Sequence, residues 1–172
     1  MMSLKKKALA LAVAAAAVGG GVTLAQAQTV AVAQNSLGQA LIYPYMTAKD
    51  GWQSFLHVVN TSGATVAAKV RFRAATDSAD VLDFVVVLSP YDVWTGVVEQ
   101  GVDGSYGFRP TDNSCTAPTI GKDVFQPFPV QTPEVYAEVI TMGVTTSTSG
   151  TLAKAAKHDA SGMPANCGVV AA

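Results

Sequence analysis

Cys115 and Cys167 are the only cysteines of this 172-residue chain. A thiol nucleophile or thiolate metal site needs a partner histidine or a Cys-x-x-Cys pair, and neither cysteine has one. His57 sits inside an apolar run and reads as a half-buried strand residue. His158 follows a short helical stretch, where a cation near the C-terminal end is favourable. Two isolated histidines without His-Glu-x-x-His spacing make no metal site. Asp77, Asp80, Asp83, Asp92, Asp103 and Asp112 gather in or near turns. They lack the alternating Asp order and terminal Glu of a calcium loop, so they read as solvated turn residues. Gly104-Ser105-Tyr106-Gly107 does not complete a Gly-x-Ser-x-Gly elbow, and no phosphate loop or dinucleotide fingerprint occurs. A carboxylate pair for glycoside hydrolysis is a matter of separation in space, which spacing along the chain does not give. These residues assign no catalytic group, no metal and no cofactor, and the chain reads as a non-enzyme.

The aromatic residues carry a stronger signal. Tyr43, Tyr45, Trp52, Tyr91, Trp94, Tyr106 and Phe108 fall near turns or strand ends. Such residues form either core corners or a binding rim for glycan or protein. The expected binding surface is Tyr91, Trp94, Tyr106 and Phe108, beside the stretch from Gln100 to Pro133.

The compartment is set by residues 1–28, which read as a secretory signal peptide. Lys5, Lys6 and Lys7 form its basic region, Ala8 to Val18 its apolar core, and Ala25-Gln26-Ala27 its small-x-small cleavage site. The competing reading is a membrane anchor, since the apolar run to Ala25 approaches the roughly 20 residues a bilayer needs. It is rich in alanine and contains Gly19-Gly20-Gly21, which is weakly hydrophobic for an anchor. No later segment is long and apolar enough to span. Export makes a Cys115–Cys167 disulfide the expected state. It would close a loop of about 52 residues, worth roughly 4 kcal/mol.

After cleavage about 145 residues remain, enough for one domain with its own core. All 12 acidic residues lie beyond position 28, and three of the 11 basic ones before it. The mature net charge is therefore 8 minus 12, or −4, with no basic cluster, which argues against nucleic acid. High Val, Ala and Thr content suits a β-rich fold.

Residues 29–38 read as a flexible lead-in and 39–172 as the domain. Ala40 to Tyr45 is an apolar run that Pro44 confines to a sheet edge. Lys49-Asp50-Gly51 is a turn. In Trp52–Asn60, Phe55, His57 and Val59 share one face and Leu56 and Val58 the other. Thr65–Arg73 alternates Val66, Ala68, Val70 and Phe72 against Lys69, Arg71 and Arg73, and is expected to pair with Trp52–Asn60 as a hairpin. Val81–Leu88 is the strongest strand, with Asp83 placed to oppose Arg71 or Arg73. Val93–Glu99 and Glu134–Val144 are further strands, and Thr151–His158 a short helix. Between them, Gln100–Pro133 loses its periodicity and holds four glycines and five prolines. It reads as a long irregular loop tied down by Cys115.

Ala40-Leu41-Ile42-Tyr43-Pro44-Tyr45, the Phe55–Ser62 segment and the run from Val70-Arg71-Phe72-Arg73 through Leu82-Asp83-Phe84 to Trp94 resemble a group of uncharacterised exported bacterial proteins. Asn113-Ser114-Cys115-Thr116 is similar to that group too. The resemblance covers most of residues 38–145. It implies an exported β-domain corresponding to the N-terminal part of longer members, and it assigns no catalytic residue. The terminal Val169-Val170-Ala171-Ala172 accordingly reads as the opening of a further element.

The expectation is an all-β, antiparallel β-sandwich of immunoglobulin-like type with a long irregular loop and one short C-terminal helix. Its expected role is a non-catalytic structural or binding module, exported to the periplasm, cell surface or medium, with a protein or glycan partner. The alternatives are a secreted carbohydrate-active or other hydrolytic enzyme, or its accessory domain, and a surface protein that self-associates through open strand edges.

Overall fold

The computed structural model of the chain describes Ala33 and residues 37–171. The leader expected at 1–28 lies outside the described residues, as does most of the 29–38 lead-in. Nine strands follow in order: β1 Ala40–Thr47, β2 Ser54–Val59, β3 Thr65–Ala74, β4 Asp80–Leu88, β5 Val93–Gln100, β6 Tyr106–Pro110, β7 Cys115–Ala117, β8 Gln126–Pro127 and β9 Glu134–Thr145. Two short helices, α1 Thr151–Ala156 and α2 Cys167–Ala171, complete the described chain. The strands form two antiparallel sheets, one ordered β1-β9-β3-β4-β7 and the other β2-β5-β6-β8.

Alternation explains which residues meet. On β3, Ala68, Val70 and Phe72 are buried while Lys69, Arg71 and Arg73 face outward. Phe84 and Val86 of β4 and Val135, Ala137 and Val139 of β9 fill the same inner face. The second sheet answers with Leu56, Val58, Trp94, Val98 and Phe108. Aromatic rings join the sheets directly: Phe72 lies 4.9 Å from Phe108, and Phe84 5.6 Å from Trp94, centroid to centroid. Such pairs add to the roughly 1.5–3 kcal/mol that burying each side chain contributes. The close approach depends on Gly96, where a Cβ would sit 2.2 Å from the Phe108 ring.

Outside the first sheet, the β3 cations meet carboxylates across strands. Arg71 and Asp83 are register partners, and Lys69 Nζ lies 2.9 Å from Asp83 Oδ2. Arg73 Nε donates to Glu138 Oε2 on β9 at 3.1 Å. Those bonds hold the Asp83 carboxyl below its usual range, chiefly through Lys69, and raise Arg73 through Glu138.

Three expectations change. The Trp52–Asn60 and Thr65–Arg73 segments form no hairpin: β2 pairs with β5, and β3 with β4 and β9. Both strands have alternating faces that suit either partner, and the turn between them carries the chain from one sheet to the other. Gln100–Pro133 is not an irregular loop, because it supplies β6, β7 and β8. These strands are too short and too rich in Gly and Pro to show a period. The C-terminal region carries two helices where one was expected; α1 stops at Ala156 and α2 begins at Cys167. The disulfide forms as expected, joining Cys115 of β7 to Cys167 of α2 across 52 positions. It holds α2 beside the β7 edge. No helix among the described residues is long and apolar enough to cross a membrane.

Candidate binding site

Exposed aromatics converge where β1 hands over to β2. Tyr45 is 60% and Trp52 69% exposed. With Thr47, Lys49 and Asp50 they line an open cleft of about 360 Å³. Strict alternation from the inward-leaning Tyr43 would also turn Tyr45 inward. Instead the β1–β9 register shifts between Tyr43 and Met46. An extra residue in one strand re-aims the side chains that follow it. Here Pro44 and Tyr45 are both exposed, and Met46 takes the buried position. The bulge is what delivers Tyr45 to the surface. Its hydroxyl then donates to Glu134 Oε1 on β9 at 2.8 Å, which fixes the ring.

The rest of the cleft is anchored from below. Met46 and Ala48 are buried, and Ala48 N donates to Pro133 O at 2.8 Å. Ser54 Oγ accepts from Thr47 N at 2.8 Å and donates to Thr47 O at 2.9 Å, so β1 and the start of β2 are stitched together. Lys49–Gly51 forms a single 3-10 turn, closed by Trp52 N donating to Lys49 O at 3.0 Å. Asp50 (φ 53°) and Gly51 (φ 80°) are both left-handed. Asp tolerates that region better than most side chains, and Gly adopts it freely. The two residues reverse the chain just before Trp52, which lines the same cleft as Tyr45.

A second polar cluster covers the outer face of the smaller sheet. Arg109 of β6 holds Glu99 of β5 through both ends of its guanidinium, with Nη2 donating to Oε2 at 3.0 Å. Gln53 Nε2 donates to the same Oε2 at 2.9 Å. Asp123 lies 3.3 Å from Arg109 Nη1. Glu99 raises Arg109 above its usual range. Glu99 is held by Arg109 and Gln53 together, and the cluster is a structural clamp between β5 and β6.

The surface expected from Tyr91, Trp94, Tyr106 and Phe108 is not assembled. Trp94 and Phe108 are fully buried, their rings 5.6 Å apart in the core. Both sit on the inward parity of their strands, Trp94 with Val98 on β5 and Phe108 at the centre of β6. Tyr106 is half-buried against that core. Tyr91 alone is well exposed, at 72%, on the β4–β5 turn. His57 is exposed rather than half-buried, because the odd positions of β2 face outward; its carbonyl accepts from the Tyr43 hydroxyl at 2.6 Å. His158 Nδ1 lies 3.3 Å from Asp92 Oδ2.

Among the described residues no group of three or more His, Cys, Asp or Glu could hold a metal ion. Most of the turn aspartates bond locally. Asp103, Asp112 and Asp159 each accept from the backbone N–H and hydroxyl of the serine two residues on, and Asn60 does the same with Ser62. This is the Asx turn. The serine bonds hold Asp103 and Asp159 below the usual carboxylate range. Compared with protein families, curated proteins and solved structures, the chain matches none.

Proposed function

We propose that the protein is an exported, non-catalytic binding module of the periplasm or cell surface, folded as a β-sandwich, that takes its ligand between Tyr45 and Trp52. The observation carrying this reading is the pair of exposed aromatics that line the cleft together with Thr47, Lys49 and Asp50. Exposed aromatic walls with a few placed polar groups suit recognition more than packing. Of the cleft-lining residues only Asp50 is a carboxylate. Glu134 behind it is bonded to Tyr45, which favours binding over acid–base hydrolysis. The leader-like residues 1–28, the resemblance to exported bacterial β-domains and the disulfide all support an oxidising compartment outside the cytoplasm.

Two facing antiparallel sheets support the sandwich. An immunoglobulin order places the first strand beside the second, whereas here the first pairs with the last. A sandwich with its own strand order is therefore the reading we favour.

The test uses the mature chain, residues 29–172, and its fluorescence. Trp52 is exposed and Trp94 buried, so acrylamide quenches Trp52 selectively. Polysaccharide and protein fractions of a bacterial envelope are added in turn. Shielding of Trp52 by a fraction that is recovered chemically unchanged supports a binding module. No shielding by any fraction, or bond cleavage in the recovered material, overturns it.

A further inference from the structure

We infer that the ligand of the Tyr45–Trp52 cleft is a neutral carbohydrate chain; this deepens the binding-module reading and rests on it. Three observations lead there. Two of the five lining residues are aromatic, a phenol and an indole, both mostly exposed. An aromatic face carries partial negative charge and attracts weakly positive C–H groups, and the flat C–H face of a pyranose presents a row of them. Both rings have only two side-chain torsions, so ordering them on a ligand costs little entropy. Tyr45 is in addition already held by Glu134.

The second observation is the charge of the lining. Lys49 and Asp50 offset each other among the lining residues, and the Glu134 carboxylate bonded to Tyr45 adds only negative charge beside them. A site for an anionic glycan or acidic peptide gathers cations. This one offers an ammonium donor, a carboxylate acceptor and the Thr47 hydroxyl. That set matches ligand hydroxyls, each of which donates and accepts. The third is shape. The cleft is open and about 360 Å³, at the small end of ligand sites. An open site of that size suits one or two rings of a chain that continues past both ends, not an engulfed small molecule.

The experiment titrates the mature chain with three probes: a neutral β-linked glucose hexasaccharide, an oligogalacturonate of equal length, and an uncharged hexapeptide containing tyrosine. Acrylamide quenching of Trp52 is the readout, at low and high salt. The inference expects the neutral hexasaccharide to shield Trp52 with little salt dependence. Trp52→Ala, followed calorimetrically, should weaken binding at least tenfold, and Tyr45→Ala similarly. Tyr91→Ala, an exposed aromatic on another turn, should leave it unchanged. All three positions are surface residues, so folding survives their replacement. Shielding by the oligogalacturonate or the peptide alone overturns the neutral-carbohydrate inference and leaves the binding module standing. An equal loss in Tyr91→Ala overturns the assignment to this cleft. Absence of shielding by all three probes and by every envelope fraction overturns both readings.

Discussion

Replacing Cys167 with serine gives the sharpest test of how the chain is held together. The disulfide spans 52 positions. A loop of that size removes about 14 cal/mol/K of entropy from the unfolded ensemble, or about 4 kcal/mol at 25 °C. The folded side offers little to offset the loss. The α2 helix buries none of its residues, and Cys167 is only partly buried, so serine leaves no large cavity. What remains to hold the C-terminal segment is modest: the buried Ala153, Ala155 and Ala156 of α1, the His158–Asp92 contact and a 3.3 Å bond from Asn113 Nδ2 to Gly162 O. For a domain whose whole stability is about 5–15 kcal/mol, 4 is a large share. Urea unfolding followed by Trp94 emission reads it. With a slope near 2 kcal/mol/M, the midpoint should fall by about 2 M. Amide exchange under native conditions should quicken across residues 151–171 while β3 and β4 stay protected. A midpoint shift under about 0.5 M would refute the loop-entropy argument. Loss of protection in β3 and β4 at zero denaturant would refute the idea that α2 is a local clasp.

Gly96→Ala should cost about 3 kcal/mol, because its Cβ would meet the Phe108 ring and lie 3.2 Å from Arg109 O; a thermal melt within 2 °C of the parent would contradict the packing. Arg109→Ala should cost about 2–3 kcal/mol by stranding the mostly buried Glu99. A double-mutant cycle with Glu99→Gln should show strong coupling, and additive losses would sink the clamp. Asp83, Asp103 and Asp159 have folded pKa values below their unfolded ones. Their contribution is complete above about pH 4–5 and is lost as pH falls through the lower, folded values. Urea midpoints measured from pH 7 to 2 should therefore stay level and then drop below about pH 4, and a fall beginning above pH 6 would refute the assignment of the acid response to these carboxylates.

Much of the fold is legible where side chains alternate. β3, β4 and β9 announce their faces through Val70, Phe72, Phe84, Val135 and Val139; parity puts Asp83 opposite Arg71 or Arg73, and the register selects Arg71. Cys115 and Cys167 are readable as a pair because the chain offers them no other partner. The site is harder. Tyr45 and Trp52 are visible as aromatics near a turn. Tyr45 reaches the surface only through the bulge before Met46, and a shift in pairing between β1 and β9 leaves no local mark. Trp94 and Phe108 mislead for the opposite reason. Their neighbours include Gly96, Gly107 and Pro110, residues of turns as much as of strands, and only the space created by Gly96 reveals two rings in tilted contact within the core.

The position of β9 has a consequence for the order in which the molecule can form. β9 lies between β1 and β3, and Ala40 finds its partner at Ile140, 100 positions later. A chain emerging from its N-terminus cannot complete the larger sheet until Glu134–Thr145 has emerged as well. Pairings this distant are slow to close. Until then β1 has no neighbour and β3 has only β4. The topology thus acts as a timer, keeping the larger sheet incomplete until Glu134–Thr145 is available to pair.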